Sequence, residues 1–341
     1  MQTTYMRKEI LDIPGATQKL LGDGLVAIKE AADALREKDP QFLTTVARGS
    51  SDNAATYLKY ACELTLGLPV ASIGPSIASI FDAELRLENS ACISISQSGK
   101  SPDIVKMAAS ATQQGALSVA LTNEPGSPLA QACTHTIDIN AGVETSVAAT
   151  KTFVLSAVAG LALLAHWKRD AGQIAALNAL PEQFEKAVSC DWPELRQTLK
   201  GSNSLFVLGR GPSIAMSHEA ALKFKETNLI HAESYSSAEV LHGPVSIVQP
   251  GFVVIALAAR DAAEDAIVSV SDELAEKGAS VFITSNKAAR ARQLEFVATN
   301  HPLTDPLTLI VSFYAFIEKL SLERGINPDT PRNLKKVTET V

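Results

Sequence analysis

The chain has 341 residues, 46% of them hydrophobic, 20% charged and 5% aromatic, which excludes a disordered or collagen-like chain. At about 100–200 residues per domain the length predicts two domains, with enough core that no disulfide or metal staple is required. Thirty Lys plus Arg against 37 Asp plus Glu leave a formal charge of −7. No local basic patch offsets it, so no nucleic-acid partner is expected.

The opening residues, MQTTYMRKEILDIPG, lack the apolar core and small-residue cleavage site of a signal peptide, and a cytoplasmic protein is expected. Residues 1–40 read as a helical segment around Ala16–Lys38. A first α/β subdomain is expected over residues 41–169. Apolar β-branched runs predict strands at Phe42–Ala47, Val70–Ile73, Cys92–Ser96, Leu117–Leu121 and Thr136–Ile139. Helical periodicity predicts helices over Asp52–Leu66, Ser101–Gln114 and Val147–Arg169. The apolar run Phe153–Ala165 is too short to span a bilayer and reads as a buried helix, so no membrane partner is expected. The charged, Ala-rich residues 170–200 predict one or two linking helices. A second subdomain follows over 201–326, and 327–341 form a tail with two prolines, Pro328 and Pro331.

The two subdomains resemble each other. VARGSSDNAATYLKYA (46–61) is similar to LGRGPSIAMSHEAALK (208–223), and GALSVALTN (115–123) to GASVFITSN (278–286), with offsets that differ by a single residue. Such spacing points to an internal duplication. Strands alternating with helices imply parallel sheets covered on both faces, with ligands beyond the carboxyl ends of the strands.

Two turns of the first copy carry hydroxyls next to a helix start: Arg48-Gly49-Ser50-Ser51-Asp52, and Gln97-Ser98-Gly99-Lys100-Ser101 after Ser96. Helix N-termini present unpaired N–H groups and a positive dipole end, so these turns suit one anion. The same residues also suit helix caps and ordinary turns. The equivalent turns of the second copy, Arg210-Gly211-Pro212-Ser213 and Ala258-Ala259-Arg260-Asp261, have mostly lost their hydroxyls, which predicts one phosphate site per chain. The second copy carries titratable groups instead: Lys223, Glu226, His231, Glu233, Glu239 and His242. Lys223 and Glu226 are neighbours on a helix face, which alone fits either a surface ion pair or a functional pair. His242 lies in a turn and can exchange protons near neutral pH. Cys62, Cys92, Cys133 and Cys190 are scattered through apolar surroundings and read as packing residues, and no metal-ligand spacing is found.

Taken together, SQSGKSPD (96–103), VETSVAATKTF (143–153), ALKFKETNLIHAESYSSAEVLHGP (221–244) and PRNLKKVTETV (331–341) resemble the sugar-isomerase (SIS) family. The likeness is to its branch of glucosamine-6-phosphate synthase isomerase halves and stand-alone deaminases. It implies two tandem SIS subdomains, each a five-stranded parallel sheet flanked by helices in three αβα layers, and a homodimer whose active sites use residues of both subunits. It implies a phosphate pocket of Ser50, Ser51, Ser96, Gln97, Ser98 and Ser101. By the same likeness Glu226 moves a proton between C1 and C2, and His242 of the neighbouring subunit assists ring opening. Lys336 matches an imine-forming lysine, and Glu144 and Lys223 match sugar-contacting positions. No cofactor is implied.

Two positions depart from the synthase pattern: Lys100 stands where an acidic residue is expected, and Leu241 replaces a lysine. A glutaminase domain with an N-terminal cysteine is also missing, the first cysteine being Cys62, which sets the expectation of a catabolic reaction. The resemblance therefore implies a deaminase that releases ammonia from a phosphorylated amino sugar, glucosamine 6-phosphate. A deglycase of a phosphorylated Amadori compound, a galactosamine-6-phosphate deaminase, a pure aldose–ketose isomerase and a non-catalytic phosphosugar sensor share the same fold-level signature.

Overall fold

Two five-stranded sheets, each wholly parallel, organise the computed structural model, which describes residues 3–336. The chain divides into two units, each built on one sheet.

The first unit comprises residues 13–144, 151–181 and 335–336. Its strands are β1 (Phe42–Val46), β2 (Val70–Ser72), β3 (Ser90–Ile95), β4 (Leu117–Thr122) and β5 (His135–Asp138), in the order β2-β1-β3-β4-β5. All six residues of β3 are buried, as expected of a central parallel strand covered on both faces. The register sets Leu43 of β1 beside Val70 of β2 and Ala91 of β3. The helices Ser50–Leu66 and Pro102–Gln113 follow β1 and β3. Helix Lys151–Lys168 is buried at every residue except His166 and Lys168, so the apolar run flagged in the sequence is a core helix. It packs on helices Leu25–Lys38 and Ser50–Leu66. At Gly160 an added Cβ would lie 3.0 Å from Leu58, which shows how closely the latter pair approaches.

The second unit comprises residues 3–12, 145–150 and 182–334. Its strands are β6 (Ser204–Gly209), β7 (His231–Ser236), β8 (Val253–Ala256), β9 (Ser280–Ile283) and β10 (Arg292–Gln293), in the order β10-β9-β8-β6-β7. Counted within its own unit, each sheet has the order second-first-third-fourth-fifth. Helix Ser213–Asn228 follows β6 and packs on helix Asp305–Glu323. The N-terminal helix Tyr5–Leu11 belongs to this unit: Thr4 Oγ1 donates to Glu318 at 2.8 Å, Arg7 pairs with Glu318, and the Met6 N–H donates to Asp329 at 2.8 Å.

The predicted strands of the first copy fall within two residues of the observed ones. One helical expectation holds in finer detail and another needs correction. The helical segment around Ala16–Lys38 consists of two helices, Ile13–Asp23 and Leu25–Lys38, broken at Gly24. A Cβ there would lie 2.5 Å from the Leu20 carbonyl oxygen, so only glycine permits the close approach at the break. Residues 170–200 hold three short helices, Ala171–Asn178, Leu180–Ala187 and Pro193–Leu199. The last starts afresh at Pro193, whose ring disfavours helical backbone in the preceding residue. Among the described residues no helix is long and apolar enough to cross a membrane.

Candidate active site

In the first unit, β3 ends at Ile95 and the chain turns through Ser96–Ser101 before helix Pro102–Gln113. The turn is internally braced. Ser96 Oγ accepts the Gly99 N–H at 3.2 Å, Ser98 Oγ accepts the Lys100 N–H at 3.3 Å, and the Asn123 N–H donates to the Gln97 carbonyl at 3.1 Å. Gly99 has φ +59°, and a Cβ on it would lie 2.1 Å from Ser127 Oγ, so this corner of the turn accepts only glycine. Ser101 occupies the N-cap position with extended backbone, yet its side chain makes no capping hydrogen bond. The simple capping role allowed by the sequence is therefore not the one adopted. Ser50 and Ser51 begin the helix after β1, both half-buried.

Glu144 and Lys336, 192 positions apart in sequence, meet in this unit. Lys336 Nζ donates to Glu144 Oε2 at 2.9 Å. The same carboxylate accepts the Thr152 N–H at 3.0 Å and the Thr152 hydroxyl at 2.7 Å, in the first turn of helix Lys151–Lys168, where the helix dipole favours an anion. Burial alone would raise the Glu144 carboxyl, but Lys336 and the two Thr152 donors outweigh it and hold the group below the ordinary carboxylate value. Both oxygens of Glu144 are thus engaged by protein groups.

In the second unit, helix Ser213–Asn228 sets Glu219, Lys223 and Glu226 on one face by their spacing. Lys223 Nζ lies 2.7 Å from Glu226 and 3.0 Å from Glu219, and Tyr314 of helix Asp305–Glu323 donates its hydroxyl to Glu219 at 2.9 Å. The Glu219 and Lys223 side chains are fully buried, whereas Glu226 is 19% exposed. Burial would lower the Lys223 ammonium, yet the two carboxylates prevail and hold it above the usual lysine value. A surface ion pair, one of the two readings the sequence allowed, is therefore ruled out for Lys223. Beside Glu226 opens a pocket of about 150 Å³, lined also by Leu229, Ile326, Asn327, Thr330 and Arg332.

His242 caps a short 3₁₀ turn, Glu239–Leu241, and is exposed. It makes no hydrogen bond or ion pair with Glu226. The structure thus joins Lys223 to Glu226, Glu144 to Lys336 and the serines of one turn to each other, and leaves His242 apart. Sequence reasoning missed Glu219, although its position one turn before Lys223 was a readable signal. Tyr314 offered none, since it reaches Glu219 from 95 residues away.

Among the described residues no group of three His, Cys, Asp or Glu side chains could hold a metal ion. The four cysteines are free thiols, and burial pushes Cys62 and Cys133 up to about 12. None is placed to act as a thiolate.

The chain is 31% identical, over 97% of its length, to the glutamine–fructose-6-phosphate aminotransferase (isomerizing) of Methanothermobacter thermautotrophicus, covering 57% of that relative. It thus spans about half the length of the curated relatives it matches. A solved structure from Silicibacter pomeroyi DSS-3, provisionally named a phosphosugar isomerase, is 60% identical and superposes with a TM-score of 0.94 over 96% of this chain and 100% of that one. The C-terminal domain of glucosamine-fructose-6-phosphate aminotransferase from Francisella tularensis is 26% identical, with a TM-score of 0.83 over 97% of this chain and 99% of that one. The SIS domain profile matches residues 39–166 and 198–316, and the chain belongs to the SIS domain family.

Proposed function

We propose that this protein is a phosphosugar isomerase acting as a glucosamine-6-phosphate deaminase, which converts glucosamine 6-phosphate and water to fructose 6-phosphate and ammonia. The observation that carries the reading is Glu226: a carboxylate at a pocket wall, its inner side fixed by a buried lysine, is fit to move a carbon-bound proton. The names of the similar proteins support the substrate class.

The Ser96–Ser101 turn, with Ser50 and Ser51, takes the phosphate and holds the sugar in register, so that a remote group contributes to positioning. His242, acting in the neighbouring subunit of a homodimer, assists opening of the pyranose. Glu226 removes the C2 proton of the open aldose, giving an enolamine, and returns a proton to C1 to give the imine of fructose 6-phosphate. Water adds to the imine carbon, and the C–N bond breaks to release ammonia. Lys336, held on Glu144, supplies positive charge for the oxyanion that develops during the proton transfer.

The test is to mix purified protein with glucosamine 6-phosphate, without glutamine, and to measure both products, with galactosamine 6-phosphate alongside. Equimolar ammonia and fructose 6-phosphate are expected. Absence of both, in a sample that still binds the sugar phosphate, would refute the deaminase assignment.

A further inference from the structure

Arg48 stands between the two hydroxyl-rich turns of the first unit. Its carbonyl accepts the Ser51 N–H at 3.1 Å and the Asp52 N–H at 3.3 Å, which closes the turn carrying Ser50 and Ser51. Its side chain crosses to the other turn: Nε donates to Asp103 Oδ2 at 2.6 Å, and Nη2 pairs with the same oxygen. Asp103 lies two residues after Ser101 in the first turn of helix Pro102–Gln113, and its Oδ1 accepts the Ile104 N–H at 2.9 Å. The guanidinium therefore ties the Ser50–Ser51 turn to the Ser96–Ser101 turn.

The exposures of the two partners differ sharply. The Asp103 side chain is fully buried, while that of Arg48 is 46% exposed. The ion pair occupies one edge of the planar fork, and Nη1 has no partner among the described residues. A guanidinium fixed on a buried carboxylate loses little freedom on meeting an anion, and its geometry suits phosphate oxygens. Lys100, on the same turn, is exposed and makes no ion pair among the described residues, so it has no such anchor there.

We propose that Arg48 makes this turn selective for a doubly charged phosphate, its outer N–H groups meeting the anion while Asp103 holds the inner edge. The inference rests on the reading that the Ser96–Ser101 turn binds the sugar phosphate. Hydroxyl and backbone dipoles favour the dianion less strongly than a full positive charge does. A fixed formal charge favours the dianion.

The experiment is a calorimetric titration of the full chain with inorganic phosphate, repeated as the pH rises through its second ionisation. Replacing Arg48 alone would leave Asp103 buried without its cation and could unfold the protein. The informative variant is therefore the double change Arg48→Met with Asp103→Asn, with Arg48→Lys as the charge-preserving partner. The double variant is expected to bind phosphate about tenfold more weakly or worse and to show a much smaller rise in affinity with pH, and Arg48→Lys to keep more of that rise. A folded double variant that binds within about twofold of wild type, with the same pH dependence, would reduce Arg48 to a structural tie and overturn the inference. Wild-type protein that binds no phosphate at all would overturn the phosphate role of the turn, and this inference with it.

Discussion

The carboxyl edges of the two sheets share one topology and differ in what fills them. After β3 the chain makes a hydroxyl-rich turn, and the nearby arginine, Arg48, keeps one edge of its fork in solvent. After β8 the corresponding turn holds Arg260, whose fork is folded inward. It donates to Asp305 at 2.7 Å, to the Thr284 carbonyl at 2.7 Å and to the Ala258 carbonyl, and stacks 4.1 Å from the centre of the Phe296 ring. Each arginine rests on a fully buried aspartate, Asp103 or Asp305. In the first unit the guanidinium joins two hydroxyl-rich turns, the proposed phosphate site. In the second it occupies the Thr284 and Ala258 carbonyls near the strand ends, and the proposed base, Glu226, lies on the helix after β6. One strand order thus carries different side chains at its strand-to-helix turns in the two units.

The largest effect that would break this division is expected at Glu226. Glu226→Gln should lower turnover by about 10²–10⁴-fold while phosphate affinity stays unchanged, as read by steady-state ammonia release beside phosphate titration. Turnover near wild type would remove the proposed base. Arg260→Ala should cost about 3–5 kcal/mol of stability, because Asp305 would stay buried without its cation, and should leave phosphate affinity untouched. Urea denaturation beside phosphate titration separates these effects, and a loss of phosphate binding would show that the second edge takes part in it.

A smaller effect concerns acid. Pairing with Lys336 and Thr152 holds Glu144 below the ordinary carboxylate value despite its burial. Its stabilising contribution is therefore present above that ordinary value and is lost as the pH falls through the lowered one. Wild type should lose stability on acidification more steeply than Glu144→Gln, which lacks the titrating group. Parallel stability curves between about pH 5 and 3 would mean that the pair contributes nothing.

Much of this arrangement was legible in the sequence because it depends on local pattern. Continuous apolar runs such as Cys92–Ser96 and turns such as Gln97–Ser101 carry their signal within a few residues. The break at Gly24 was missed because helical periodicity continues on both sides, and the close approach to the Leu20 carbonyl is visible only in three dimensions. Glu219 was readable from its spacing to Lys223. Tyr314, the anchoring of Arg48 on Asp103 and the docking of Lys336 on Glu144 were not, because each depends on elements brought together by folding. Sequence alone also left open whether the Lys223 ion pair lay on the surface, since periodicity gives the face of a helix but not the depth at which it is buried.

The division of labour between the two edges is tested most directly by counting inorganic phosphate ions bound per chain by calorimetry, in wild type, Ser98→Ala and Ser213→Ala. One phosphate per chain is predicted, weakened by about 1–3 kcal/mol in Ser98→Ala and unchanged in Ser213→Ala. Two phosphates per chain, or one that survives Ser98→Ala intact and is lost in Ser213→Ala, would contradict the account.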